Sequence, residues 1–582
     1  MCGSILMCAS LERPIIGMHF GGTGAVGFAE PMCVEMFKDC EDERQYVYET
    51  FDMETDDTEE PKITLRTLLY PQGQVPKEHA ANQGSRSQYI PSKIFDTYKN
   101  DCEPNPLSTH DRRLPMGSHP LRDGCEFMGM PPKDFPSSLV DPAAEHLQDV
   151  VLATVKPIRP KVELVSLQDA ICGNKHVEGF EPLEWSTSEG FPLKSLRPKN
   201  VSGKRWLFDL EETEDGYKLK GMHGELRRQL YLGKKLRKQK IECPTVFTDC
   251  LKDTVVPIEK CSIPGKTRIF SISPVQYTIA FKQYFGDFLA SYTKARLNCE
   301  HGIGINCDSI EWTFLAEKLT SKGSKIIAGD YKNFGPSLML KCVKKCFDII
   351  MKWYECYDPD EERQTIRRVL LAEILHARHL CANVMYTVPC GIPSGSPITA
   401  PLNSLVNCLY LRCAWLDVTS KPLSEFDSNV NVVVYGDDVC INISDEVCDI
   451  FNTVTLNEFF KKYDIVFTDV DKSDNIIPYK TLDEVTFLKR GFKRHPHHKF
   501  LFLAPIEVRS IYKCTNWISR KGDAISSTLE NCVQACELAF GHGPQFYNDV
   551  KTTLMLACNK RLSVSFRVPS WSEKSERCFN IG

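Results

Sequence analysis

Two adjacent aspartates, Asp437 and Asp438, stand between two strongly β-forming runs in NVVVYGDDVCINI (431–443). Like charges that close repel, so the pair is costly unless water solvates it in a surface turn or a cation neutralises it. Hard ions such as Mg2+ take carboxylate oxygens and share the rest of their shell with substrate phosphates. A third carboxylate, Asp330, ends the run KIIAGD (325–330), where singly it reads as a turn or cap aspartate. Two strand ends that each carry a carboxylate are also what a two-metal phosphoryl-transfer site requires.

Between them lies GIPSGSPITAPLNSLVNCLYL (391–411), a Gly/Pro/Ser loop that runs into a helix. Ser394, Thr399 and Asn403 bring hydroxyl and amide groups from the loop and the first helical turns. A plain flexible loop is one reading. Reading of a ribose 2′-hydroxyl, the group that separates RNA from DNA, is the other.

The elements that must hold these groups are legible around them. From about residue 140, helical periodicity dominates, as in CVKKCFDIIMKWYECY and RQTIRRVLLAEILHARHL. Short strands interrupt it at KIIAGD, NVVVY, VCINI and EVTFLKRGF. Helices mixed with a small antiparallel sheet predict an α+β architecture. At 582 residues the chain exceeds one typical core, so two or more domains are expected. The 42% hydrophobic and 25% charged composition is that of globular proteins, and no apolar run reaches bilayer length. The 26 cysteines are scattered, which fits a reducing compartment. Cys342 with Cys346, and Cys532 with Cys536, have one-turn helical spacing and suit apolar packing. The histidines of HPHH (495–498) read as polar turn residues rather than metal ligands.

Net charge is -5, but it is unevenly spread. Residues 35–60 hold twelve acidic and two basic side chains, and the remainder of the chain carries +5. The run YKLKGMHGELRRQLYLGKKLRKQK (217–240) has nine Lys or Arg against one Glu. That is either a solvated helix face or a phosphate-binding surface.

Taken in order, STSEGFP (186–192), LKDTVVPIEKCSIPGKTRIFSIS (251–273), DYKNFG, PSGSPITAPLN, YGDD, DVDKSD and VTFLKRGF resemble the motifs of viral RNA-dependent RNA polymerases of the picorna-like group. DYKNFG points toward the insect picorna-like, iflavirus or dicistrovirus type. The resemblance implies a right-hand polymerase: fingers at about 66–299 and 340–390, palm at about 300–339 and 391–499, thumb at about 500–582. It implies Mg2+, with Mn2+ as the alternative, bound by Asp330, Asp437 and Asp438. Lys252, Lys260, Lys266 and Arg268 match the basic channel for the triphosphate. Ser394, Gly395, Thr399 and Asn403 match the ribose-reading segment, and Lys472 matches the general acid for leaving pyrophosphate. Ser188 and Gly190 match the template motif, and Lys489 and Arg490 the primer-grip hairpin. RNA template and primer, NTPs, a small genome-linked protein primer and other replication proteins are the implied partners. The implied location is the host cytoplasm, at membrane-associated replication complexes. In one place the chain departs from the family. A second aspartate usually follows the first by five residues, contacting the ribose and positioning the asparagine; here that position is Gly335.

The first residues, MCGSIL followed by IIGMHFGGTGAVGFAE, resemble the C-terminal end of a chymotrypsin-like viral cysteine protease, an incomplete β-barrel remnant over 1–45. Cys2 falls at the nucleophile position and His19 at the residue that reads a glutamine in the specificity pocket. A cysteine without its base is poorly activated, so this piece is expected to be inactive. An acidic junction over 46–65 follows, with cleavage expected near Gln45 rather than at Gln72 or Gln83. Reverse transcriptase and a non-catalytic RNA-binding precursor are the rival functions; SGSPITAPLN and the basic motif argue against the first.

Overall fold

In a computed structural model, residues 68–580 are described except for 82–83, 85, 215 and 470–475, together with the backbone of three strands nearer the N-terminus. Those strands, Ile5–Met7, Ile15–Thr23 and Val26–Pro31, form an antiparallel sheet in sequence order, with no closed barrel among the described residues. His19 lies on the middle strand opposite Ala29. Cys2, the 46–65 junction and Lys472 lie outside the described residues.

The carboxylates are positioned by a four-stranded antiparallel sheet, ordered Val430–Tyr435, Asp438–Ile443, Lys325–Tyr331, Phe467–Asp469. Both faces are covered, which is why its strands read as nearly continuous Val/Ile runs. On one face Ile327, Val432, Val434 and Ile441 pack into a core with the helices Ser137–Thr154, Leu340–Tyr357 and Thr399–Thr419. On the other, Ile326, Ala328, Val433 and Cys440 pack against Trp312 and Leu315 of the helix Ile310–Lys318 and against Phe487, Phe492 and Phe502. Gly329 is required here, because a Cβ at that position would lie 2.0 Å from the ring of Phe467.

A second sheet has five strands, ordered Ile269–Ile272, Val246–Leu251, Arg378–Cys381, Val384–Thr387, Tyr70–Gln74. The C-terminal helices Val508–Asn516, Ala524–Ala539, Pro544–Leu562 and Trp571–Phe579 build a separate core that also includes Ile94. The short strands Tyr89–Pro91 and Trp517–Ser519 pair antiparallel, and Arg509 bonds Asp101 at 2.8 Å, so residues 89–101 are tied to this unit. Both spaced cysteine pairs are buried on helices, as the spacing predicts. The same holds for HPHH: the His495 ring accepts the backbone N–H groups of His497 and His498.

The segment EVTFLKRGF departs from the expectation of a strand. Phe487 and Arg490 exchange two backbone hydrogen bonds of 2.9 Å, and Leu488 and Lys489 between them take φ of 54° and 61°. This is a tight two-residue turn, not a strand. The β-forming Val, Thr and Phe suggest extension, but tertiary packing of Val485, Phe487 and Phe492 into the core bends the chain.

Candidate active site

Tyr435 pairs with Asp438, so the hairpin is closed by only two residues, Gly436 and Asp437. Gly436 has φ of 65°, as the first position of a type II′ turn demands. Both polar groups of Gly436 are held by the helix Thr399–Thr419: Ser404 Oγ accepts its N–H at 2.9 Å, and Asn407 Nδ2 donates to its carbonyl at 2.9 Å. Asn407 Oδ1 in turn accepts the Tyr331 hydroxyl at 3.1 Å. Ser404 and Asn407 escape a motif reading, yet they are polar positions one and four residues after Asn403 within the apolar stretch of the helix from Leu402 to Leu411. That is the signal that marks them.

The central strand supplies the third carboxylate. Its register against the hairpin runs from Lys325 opposite Ile443 to Gly329 opposite Val439. Continued by one residue, it sets Asp330 opposite Asp438, and their side chains share the face of Ala328 and Cys440. Two segments more than a hundred residues apart thereby bring their acids together.

Electrostatics records the crowding. Burial, and then the charge of Asp330, raise the carboxyl of Asp437 above its ordinary range. Burial and the charges of Asp437 and Asp330 push Asp438 up to about 6. Arg268 opposes both shifts, and Lys489 opposes that of Asp438. The structure thus brings two of the sequence-expected cations to the acids. Lys252 neighbours Arg268 across the strand pair, its N–H donating to the Arg268 carbonyl at 2.9 Å. Lys260 and Lys266 are exposed on the segment that joins the two strands.

Among the described residues, no three His, Cys, Asp or Glu side chains form a ready metal cage. Partly buried, mutually repelling carboxylates at an open hairpin instead fit an ion that takes one or two protein oxygens and completes its shell with phosphates and water, as Mg2+ does.

Of the ribose-reading candidates, Ser394 and Thr399 are held within the loop and Asn403 lies beside the turn. Ser394 Oγ accepts the N–H of Ser271 at 3.1 Å. The Thr399 hydroxyl donates to the Ser396 carbonyl at 2.8 Å, closing the loop onto the helix start. Gly395 allows the loop to approach, since a Cβ there would sit 2.0 Å from the Ser271 carbonyl oxygen. Asn403 lies between two glycines: its Cβ is 3.9 Å from where a Gly436 Cβ would be, and its Nδ2 is 3.4 Å from where a Gly335 Cβ would be. Asn403 Oδ1 is buried with no hydrogen-bond partner among the described residues.

In the STSEGFP segment, Gly190 has φ of 75° and abuts Pro274. Ser188 Oγ accepts from the Gly190 N–H and from Arg197, each at 3.3 Å. The anchor of this loop is Glu189, fully buried and bonded by Arg197 and by the Trp206 indole at 3.1 Å. Its place inside the motif was visible; its role was not. At the second turn, Lys489 is largely exposed, while Arg490 Nη1 donates to the Ala504 carbonyl at 2.8 Å.

Residues 120–559 match the family model described as viral RNA-dependent RNA polymerase. The chain belongs to that family. Members of that family carry out RNA-templated RNA synthesis and generally require divalent metal ions. Over its whole length this chain is 46% identical to the genome polyprotein of Deformed wing virus, of which it spans 20%. It is 32% identical over 69% of its length to the replicase polyprotein of Acute bee paralysis virus, spanning 21% of that protein. The polymerase thus corresponds to about a fifth of these viral polyproteins. Its fold matches the solved Sicinivirus 3Dpol RNA-dependent RNA polymerase with a TM-score of 0.71 at 21% identity, covering 88% of this chain and 98% of the other. Among the described residues, no helix is long and apolar enough to cross a membrane.

Proposed function

We propose that this polymerase extends an RNA primer 3′-end at the hairpin turn of Asp437 and Asp438, replicating the genome of a positive-strand RNA virus. The observation that carries the reading is the register that faces Asp330 with Asp438 beside Arg268 and Lys489. Mg2+, held by Asp330, Asp437 and Asp438, supplies charge neutralisation at the attacking and leaving oxygens when bound. Arg268 and Lys252 hold the triphosphate, where cations set in advance stabilise charge as it develops. The primer 3′-hydroxyl gives up its proton to solvent and its oxygen bonds the α-phosphorus as the bond to pyrophosphate breaks, while Lys472 donates a proton to the leaving pyrophosphate. Lys260 and Lys266 extend the basic path for the triphosphate, Ser188 and Gly190 line the template path, and Lys489 and Arg490 steady the primer.

In this reading, the four-stranded sheet is the palm, the five-stranded sheet belongs to the fingers, and the C-terminal helical core is the thumb. Residues 1–45 correspond to the C-terminal end of a chymotrypsin-like viral cysteine protease. The polymerase acts in the host cytoplasm, at replication complexes on membranes, with a genome-linked protein as primer.

Primer extension by the purified chain on a homopolymeric RNA template tests the reading, with Mg2+, Mn2+ or chelator. Incorporation with a divalent ion and none with chelator is expected. RNA binding without incorporation would leave a non-catalytic precursor. Lys472→Leu should slow single turnover by ~10²–10⁴-fold while sparing nucleotide affinity, and Lys472→Arg should retain more activity.

A further inference from the structure

A buried carboxylate outside the hairpin of Asp437 and Asp438 is linked through Ser271 to the Ser394 loop. Asp249, on the strand Val246–Leu251, is fully buried. It accepts the Ser271 hydroxyl at 2.7 Å and the Tyr386 hydroxyl at 2.6 Å, and the His379 ring Nδ1 lies 3.1 Å away. These partners come from three different strands of the five-stranded sheet. A buried charge is tolerated only when its oxygens are filled, so the three bonds fix one another.

Ser271 has a second contact, on its backbone. Its N–H donates to Ser394 Oγ, and its carbonyl is approached so closely by Gly395 that no side chain fits there. Three residues earlier on the same stretch stands Arg268, the cation that acts on Asp437 and Asp438. One short segment therefore joins the triphosphate-binding cation to the loop that leads into Thr399 and Asn403. With Ser394 Oγ accepting from Ser271, its own O–H is left to donate.

We infer that Asp249 is a positioning residue for nucleotide selection: by holding Ser271 it locks the Ser394 loop to the Arg268 strand, so that phosphate-binding and sugar-reading groups keep a fixed spacing. The inference rests on the polymerase reading and deepens it. Loosening the lock should blur the register between triphosphate and ribose, a binding and selectivity defect more than a loss of chemistry.

The experiment uses the full chain and measures kcat and KM for ATP and dATP on a fixed primer-template. Ser271→Ala leaves the backbone contact but removes the bond to Asp249. It should raise KM for ATP about fivefold, the effect of one hydrogen bond, with kcat within about twofold. The ATP-to-dATP preference should fall by a similar factor. Ser271→Thr keeps the hydroxyl and should restore both. In a double-mutant cycle, Ser271→Ala should add little to Ser394→Ala, because both act through one contact. The inference is overturned if Ser271→Ala keeps wild-type KM and sugar preference while only its melting temperature falls. It is equally overturned if the two substitutions act multiplicatively. A wild-type chain that incorporates nothing would instead overturn the polymerase reading itself.

Discussion

Two tight turns bring charge to the candidate site, and they are built in opposite ways. The turn at Gly436 and Asp437 places its left-handed residue on a glycine and clamps that peptide from both sides with Ser404 and Asn407. The turn at Leu488 and Lys489 places two side-chain-bearing residues at positive φ. Each such residue costs roughly 1–2 kcal/mol relative to right-handed backbone. Where the charge sits beside the left-handed position, as with Asp437, that position can be glycine. Where the charge sits on the bend, as with Lys489, strain is the consequence of keeping it.

The largest effect should come from removing the charge of the first turn. Asp437→Asn is expected to cut single-turnover incorporation by ~10²-fold or more, since a preorganised electrostatic group is lost. Asp438→Asn should be similarly inactive yet, in the chain stripped of divalent cations, more stable. Burial and like charge raise the folded carboxyl to about 6, above its unfolded value of 3.8. Below the unfolded value the group is protonated in both states and costs nothing. As pH rises through about 6, the ionised form in the fold loses up to about 3 kcal/mol. Thermal melts in chelator should therefore show the Asn variant melting higher at pH 7.5 and level with wild type near pH 4. Added Mg2+ should stabilise wild type and narrow the gap. Equal melting at pH 7.5 would show that the acids are not strained without metal.

The second turn predicts a smaller loss. Lys489→Ala removes a cation that opposes the shift of Asp438. Incorporation should fall about tenfold, with Lys489→Arg recovering most of it, within the range of a charge-assisted contact. If alanine were silent in rapid-quench assays, the positive φ at Lys489 would need another explanation.

Next is the amide beside the first turn. Asn403→Ala should lower the ATP-to-dATP preference by about fivefold to tenfold, the scale of one hydrogen bond lost to a sugar hydroxyl. Gly335→Asp should raise it, because a side chain there meets Asn403 Nδ2 at contact distance and would hold the amide. An unchanged ratio in both variants would place sugar selection away from Asn403.

The smallest effect separates strain from charge. Leu488→Gly should change stability by less than about 1 kcal/mol, because relief of left-handed strain is offset by the lost packing of Leu488 against the core beside Phe487, with incorporation unaltered. A denaturant titration reads it.

This contrast also explains what the sequence disclosed. Gly-Asp between Val/Ile runs identifies the first turn, because the residue that permits the bend is the one present. Nothing in Leu-Lys encodes the second, so local pattern reads EVTFLKRGF as a strand, and only the family resemblance supplies a hairpin there. The central strand, the hairpin and the helix at 399–419 are legible from local pattern. The facing of Asp330 with Asp438 is a register between distant segments, which no local pattern encodes. Chain order of motifs carried that expectation instead. The bond between Ser271 N–H and Ser394 Oγ was equally hidden, since one partner is backbone and every residue has that. Seen from sequence, Ser394 is a free hydroxyl; in the fold it already accepts one bond.

The place of Ile94 in the C-terminal core has a consequence for the time the chain takes to become whole. Its neighbours there run from Leu501 to Phe579. A ribosome adding roughly 5–20 residues per second takes roughly 20–100 s to travel from Ile94 to the end of that core. During this interval Ile94 and the strand Tyr89–Pro91 are synthesised but unmatched, an apolar side chain and an open backbone edge waiting for their partners. The helices between Val508 and Phe579 thus complete a core begun at Ile94, and a chain interrupted after the hairpin of Asp437 and Asp438 would hold the three carboxylates yet leave that early segment without a core.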